Sequence, residues 1–309
     1  MEVRQCTAAE LYLELLKNCL TRQLFGDDDV SVVPRRATTR RLRFRPIRDA
    51  LATRHLERVR KAALDPRARA EGRDWPARAE TMIGRKRLDN LQQCVTDVLS
   101  RGVPGDLIET GVWRGGATIL MRAVLEAYGD TDRQVWVADS FQGLPKPDPE
   151  RWPAEMGDEH WTREQLAVPL EEVQANFARY GLLDDRVRFL AGWFKDTLPT
   201  APIERLAVLR LDGDMYGSTM EALQALYPRL SPGGYVIVDD YGAVPQCREA
   251  VSDFRAAHDI VDPIEWVDWT GVHWRRSAAD VAAKTFSSSK SRPAPRDRLP
   301  RDQRGGDQR

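Results

Sequence analysis

The chain is expected to form an α/β fold in which a mostly parallel sheet is covered by helices, and three features of the sequence carry that expectation. Between Asp74 and Arg276, apolar strand-like runs alternate with helix-patterned segments, which is the arrangement of βαβ units. Two of those runs are followed directly by aspartates, LRLDGDMYGS and GYVIVDDYGA, and in a parallel sheet ligands bind just beyond the carboxyl ends of the strands. With 309 residues and 42% hydrophobic content, the chain can bury a substantial core as one large domain or two small ones.

In chain order, an amphipathic helix is expected over 8–24, where Leu11, Leu15 and Cys19 recur at helical spacing. A basic arm follows, with fourteen Lys or Arg against four acids from Arg35 to Arg73. The strand candidates are DLIETG, VWVADS, RVRFLAG, LAVLRLDGD and GYVIVDD, with a helix through Leu120 and Leu125 after the first. The segment Lys146 to Pro169 is rich in Pro, Asp, Glu and Trp and has the length and composition of an active-site lid. Beyond Ser277 the chain is polar and rich in Pro and Arg, so it cannot offset its ordering entropy and is expected to be disordered. The expected organisation is therefore 1–73 for helix and arm, 74–276 for the α/β domain and 277–309 for the tail.

Composition excludes some classes. No run reaches the ~20 apolar residues of a membrane span, and acids interrupt the apolar stretch of MEVRQCTAAELYLELLKNCL, which argues against a signal peptide. A cytoplasmic protein with no membrane partner is expected. Cys6, Cys19, Cys94 and Cys247 show no paired spacing and read as plain thiols. The basic arm has the charge of an RNA footprint but no stacking aromatic except Phe44; a solvated arm or an inter-subunit contact is the expectation, without nucleic acid.

The chemistry is concentrated at the expected strand ends. Asp212, Asp239 and Asp240 would converge there and repel one another unless a hard cation such as Mg²⁺ sat between them, although Asp also caps turns and helices. In DLIETGVWRGG, Gly111 allows close approach of a nucleotide-like ligand, and Glu109 would oppose a pyrophosphate but suit the ammonium of S-adenosylmethionine. Asp139, followed by Ser140, ends the second strand, where a carboxylate can accept ribose hydroxyls or cap a turn. Trp193 and Phe194 could flank an adenine or belong to the core. Asp214 is either a surface turn acid or a base. His160 in the lid could touch substrate, and His273 reads as a core histidine or a rival base.

Taken together, TMIGRKRLDNLQ, IETGVWRGG, ADSFQGLP, RLDGDMYGST and VIVDDYG resemble the macrocin O-methyltransferase family of metal-dependent sugar methyltransferases. The resemblance covers roughly Asp74 to Arg276 and the helix LYLELLKNCL, but neither the arm nor the tail. It implies a class I methyltransferase, Rossmann-like fold with a seven-stranded sheet and helices on both faces. It further implies S-adenosylmethionine and Mg²⁺ as cofactors, a small-molecule glycoside of macrolide or aminocoumarin type as substrate, and a homo-oligomer. By the same resemblance Asp212, Asp239 and Asp240 hold the metal, Asp214 is the general base, and Thr81 and Met82 cover the cofactor; the sequence by itself reads Thr81 as a helix cap. A sugar hydroxyl ionises only at very high pH, so a metal and a base that help it lose its proton make chemical sense. The competing expectations are a catechol or phenol methyltransferase and an RNA-binding or RNA-modifying protein.

Overall fold

A computed structural model describes residues 6–28, 65–74 and 76–277; most of the expected basic arm and the expected tail beyond Ser277 lie outside the described residues. Thr7 opens α1 (Ala8–Leu20) with a reciprocal capping box: its hydroxyl accepts the Glu10 N–H at 3.2 Å while Glu10 accepts the Thr7 N–H at 2.7 Å. The helix stops four residues short of its expected end because Arg22 enters the left-handed region at φ 60°, and a 3₁₀ turn follows over Gln23–Asp28.

The face of α1 that docks also differs from expectation. Leu13 and Leu20 are fully buried, with Leu16 beside them, whereas Leu11 and Leu15 are 60% and 53% exposed. Leu11 and Leu15 form a second apolar row at the same helical spacing, and spacing alone cannot say which row meets the core.

The remaining helices are α2 (Pro66–Ala70), α3 (Gly84–Ser100), α4 (Gly116–Ala127), α5 (Leu170–Arg179), α6 (Phe194–Thr197), α7 (Tyr216–Leu226) and α8 (Pro245–Ala257). The strands are β1 (Asp106–Thr110), β2 (Val135–Asp139), β3 (Val187–Ala191), β4 (Leu206–Leu211), β5 (Leu230–Val238), β6 (Glu265–Trp266) and β7 (Val272–Arg275). They form one seven-stranded sheet in the order β3-β2-β1-β4-β5-β7-β6. The pairs from β3 to β5 are parallel, whereas β7 runs antiparallel to both β5 and β6.

Strand alternation divides the core in two. Leu107, Val135, Val137, Val208 and Ile237 face α1, α3, α4 and α5, and Ile108, Trp136, Leu209, Leu211, Val236 and Val238 face α7 and α8. Both faces are covered, so the strands read as continuous apolar runs. The chain winds outward from β1 through β2 to β3, then returns to β4 on the other side of β1. The crevice at that switch point is where such a sheet binds ligands.

The docking of α1 predicts an asymmetry. Leu13→Ala should destabilise by about 2–5 kcal/mol, whereas Leu15→Ala should stay within about 0.5 kcal/mol of the parent. Urea unfolding of both variants checks this, and a larger loss for Leu15→Ala than for Leu13→Ala would mean that the other row faces the core.

Candidate active site

Sheet register gathers the acids. Glu109 on β1 lies opposite Arg210 on β4, and Leu211 lies opposite Val238 on β5, so Asp212 and Asp239 emerge side by side where β4 and β5 end. Backbone bonds pin both: Asp212 N–H donates to Thr110 O and Asp239 N–H to Leu211 O, each at 2.9 Å. One oxygen from each of Asp212, Asp239 and Asp240 lies within 4.8 Å of the others. The three expected metal ligands are thus brought together.

Two guanidiniums hold this cluster. Arg210, fully buried in the sheet, donates to Glu109 Oε1 at 2.5 Å and Asp212 Oδ2 at 2.8 Å, and its other terminal nitrogen donates to Asp239 Oδ1. Arg87 from α3 donates to Asp239 Oδ2 and, at 3.0 Å, to Asp268. Mutual repulsion, which on the sequence calls for a cation, is therefore already met in part by Arg210 and Arg87.

The balance is incomplete. Asp240 Oδ2 is buried and finds no hydrogen-bond partner among the described residues. Burial raises the Asp240 and Asp212 carboxyls, and neighbouring acids raise them further. Glu109 is pushed up to about 8 by burial, against the pull of Arg210. An orphaned oxygen and an all-carboxylate donor set under strain from their own charge fit a hard divalent cation.

Asp214 stands just beyond, in the turn between β4 and α7. Its φ of 54° is left-handed, which a non-glycine residue adopts at a cost and which clusters at functional sites. Burial, reinforced by the charge of Asp212 and opposed by Arg163, pushes its carboxyl up to about 7.

On the other side of the crevice, the turn after β1 requires glycine at Gly111. Its φ is 83°, and a Cβ there would fall 1.8 Å from the carbonyl oxygen of Asp212. The glycine thus serves the approach of β1 to β4 directly. Asp139 anchors the neighbouring turn, its two oxygens accepting the N–H groups of Val112 at 2.7 Å and Phe141 at 2.8 Å. The Ser140 hydroxyl donates to Gly143 O at 2.6 Å. Both residues still line the cavity.

Thr81 does not cap a helix. Ile83 occupies the N-cap of α3 without a side-chain bond, and the Thr81 hydroxyl instead accepts the Ile83 N–H at 3.3 Å. Thr81, Met82, Glu109, Gly111, Asp139, Ser140, Trp193 and Phe194 line one cavity of about 550 Å³ together with Asp212, Asp214, Asp239 and Asp240. His273 lies elsewhere: its Nδ1 meets the Asn90 amide at 3.3 Å and its ring packs on Tyr235, the environment of a core histidine.

The segment after β2 covers this cavity with short 3₁₀ turns, and His160 and Arg163 line it. Glu155 docks the segment, its buried carboxylate accepting Gly217 N–H of α7 at 2.7 Å and Asp148 N–H at 2.9 Å. Arg210, Arg87 and Glu155 stand outside the set expected from the sequence. Arg210 had a signal, a charge inside the apolar run LAVLRL that a central strand tolerates only when paired. Arg87 sits among Arg85 and Lys86 in GRKRLDN and had none.

A model of the family described as Macrocin-O-methyltransferase (TylF) matches residues 9–276. The chain belongs to that family. Among relatives, a Streptomyces olivaceus tetracenomycin 4'-O-methyltransferase, acting on a dimethoxy-rhamnosyl group by its name, is 53% identical over 89% of this chain and 95% of its own. The mycinamicin III 3''-O-methyltransferase of Micromonospora griseorubida is 52% identical over 88% of this chain and 98% of its own. Among solved structures, the O-methyltransferase NovP shares 47% identity with a TM-score of 0.75, covering 87% of this chain and 99% of that one. This macrocin O-methyltransferase family member is therefore an O-methyltransferase, and its seven-stranded sheet is the class I methyltransferase fold.

The raised Asp214 carboxyl makes stability depend on pH. In the unfolded chain it ionises near about 4, while in the folded chain it holds its proton to about 7. The folded state then binds the extra proton in that window, so stability falls as pH rises through it. Without metal, Asp214→Asn should melt roughly 2–6 °C above the parent at pH 8 and level with it at pH 4. Thermal unfolding in EDTA measures the difference; one that did not change with pH would remove the raised carboxyl.

Proposed function

We propose that this protein transfers the methyl group of S-adenosylmethionine to a sugar hydroxyl of a glycosylated natural product, with Mg²⁺ held by Asp212, Asp239 and Asp240. The supporting observation is the shared cavity, in which the Asp139 turn and the acid cluster meet with Asp214 between β4 and α7. One relative acts by name on a rhamnosyl-bearing tetracenomycin at a 4' position and another on mycinamicin III at a 3'' position, which supports the substrate class and leaves the position open.

When bound, Mg²⁺ would supply Lewis-acid polarisation that helps an acceptor hydroxyl to ionise. Asp214 takes the hydroxyl proton, and its raised affinity for a proton suits it to that task near neutral pH. Asp139 accepts the ribose hydroxyls of the donor, Trp193 and Phe194 flank its adenine, and Thr81 and Met82 cover it. Glu109, beneath the turn, is committed to Arg210 and lines the donor end of the cavity. Methyl transfer converts a sulfonium and an alkoxide into two neutral products, so the protein has no new charge to stabilise. Its contribution is alignment, and a sheet edge fixed by backbone bonds is suited to that.

Asp214→Asn should lower kcat by roughly 10²–10⁴-fold while binding of Mg²⁺ and S-adenosylmethionine, followed by calorimetry, is retained. Normal turnover by this variant would remove Asp214 as the base.

Asp239→Ala should lose Mg²⁺ binding, and EDTA should abolish activity that added Mg²⁺ restores. Activity that persists in EDTA would end the metal assignment. Product mass spectrometry with antibiotic rhamnosides beside catechols identifies the acceptor class, and methylation of catechols alone would replace the glycoside reading.

A further inference from the structure

The segment covering the cavity has little regular structure, yet one of its side chains is held as firmly as a core residue. The Asp158 carboxylate is fully shielded from solvent, and its Oδ1 accepts both the backbone N–H and the ring Nδ1 of His160, each at 2.7 Å. Its Oδ2 is buried with no hydrogen-bond partner among the described residues. The Nδ1 contact places the ring hydrogen on Nδ1 and leaves Nε2 as the nitrogen turned away from Asp158. The imidazole is 22% exposed and lines the same cavity as Asp214.

Burying a carboxylate behind an imidazole costs folding free energy. Docking of the segment does not explain that cost, because Glu155 already ties it to Gly217 and Asp148. What the pair gains is an imidazole of fixed tautomer and direction. An Nε2 lone pair needs a donor, and hydroxyls are the donors that a sugar presents in excess. The hydroxyl to be methylated is already committed to Asp214 and the acid cluster, so the donor is another one.

We propose that His160 is a specificity-determining residue that accepts a hydrogen bond at Nε2 from a second hydroxyl of the acceptor sugar, and that Asp158 is the positioning residue that aims the ring. This inference rests on the glycoside reading above.

The test is calorimetric binding of an antibiotic rhamnoside, and of its monodeoxy analogues at each remaining sugar position, to protein loaded with S-adenosylhomocysteine. His160→Ala removes the ring, whereas His160→Asn keeps a donor to Asp158 and has no atom at the place of Nε2. The wild-type protein should bind one monodeoxy analogue roughly 10–100-fold more weakly than the parent glycoside. Both variants should bind that pair within about threefold of each other, with affinity for S-adenosylhomocysteine unchanged. If His160→Asn keeps the wild-type preference, or no deoxy position matters to the wild type, the assignment of His160 is overturned. Wild-type protein that methylates a catechol and no glycoside overturns the glycoside reading and this proposal together; methylation of the rhamnoside with the preference retained in His160→Asn overturns only the role of His160.

Discussion

Glu109, Asp212 and Asp239 share the guanidinium of Arg210 inside the sheet, and the rest of the site is arranged around that sharing. A guanidinium shut away from water between two strands is costly unless its donors are matched. Here three carboxylates match them, and the planar fork holds each acid at a set direction as a single lysine could not. Arg87 closes the network from α3 by bonding the other oxygen of Asp239 and reaching Asp268. Removing one cation would leave buried carboxylates unpaired, so the acid cluster and the sheet edge stand or fall together. Asp240 Oδ2 has no hydrogen-bond partner among the described residues, and the Asp240 and Asp214 carboxyls are raised first by burial and then by the neighbouring acids.

Backbone geometry makes this cluster possible. Strands β1 and β4 come so close after their last pair that only glycine fits at position 111, and the same approach carries Asp212 next to the turn that Asp139 anchors. The acid edge and the Asp139 turn consequently line one cavity instead of two neighbouring ones. The left-handed conformation of Asp214 follows from the short path between β4 and α7, which turns the chain within Gly213 and Asp214 before the helix begins at Tyr216.

Much of this was legible in the sequence, for a physical reason. Central parallel strands are buried on both faces, so their apolar runs stand out, and an acid directly after such a run has few places to be except the carboxyl edge. Asp212, Asp239 and Asp240 are found together on that ground. Interactions between distant segments leave weaker traces. Arg87 reaches Asp239 across 152 positions from a helix whose neighbours are also basic, and Asp158 acquires meaning only once the covering segment has folded over the cavity. In α1 both leucine rows obey the helical period, and the choice of Leu13, Leu16 and Leu20 over Leu11 and Leu15 is made by the surface of α4 and its neighbours. Thr81 looked like a cap because threonine favours that position, but Gly84, pressed against Gly72, sets the start of α3 instead.

The two halves of the cavity answer to different constraints. The floor is written into strand register, where a slip of one residue would turn Glu109 and Arg210 to the opposite face, so it has little freedom to vary. The covering segment is joined to α7 through Glu155 and can change between its anchors without disturbing the sheet. Two relatives named for different positions, 4' and 3'', match this chain almost equally well, at 53% and 52% identity. A choice between hydroxyls on similar rings is a small difference in binding energy, and it is more economically made by re-aiming side chains above the sugar than by rebuilding the charged edge beneath it. On the proposed glycoside reading, the sheet edge would set the methylation chemistry, and the segment that carries Asp158, His160 and Arg163 would select the hydroxyl.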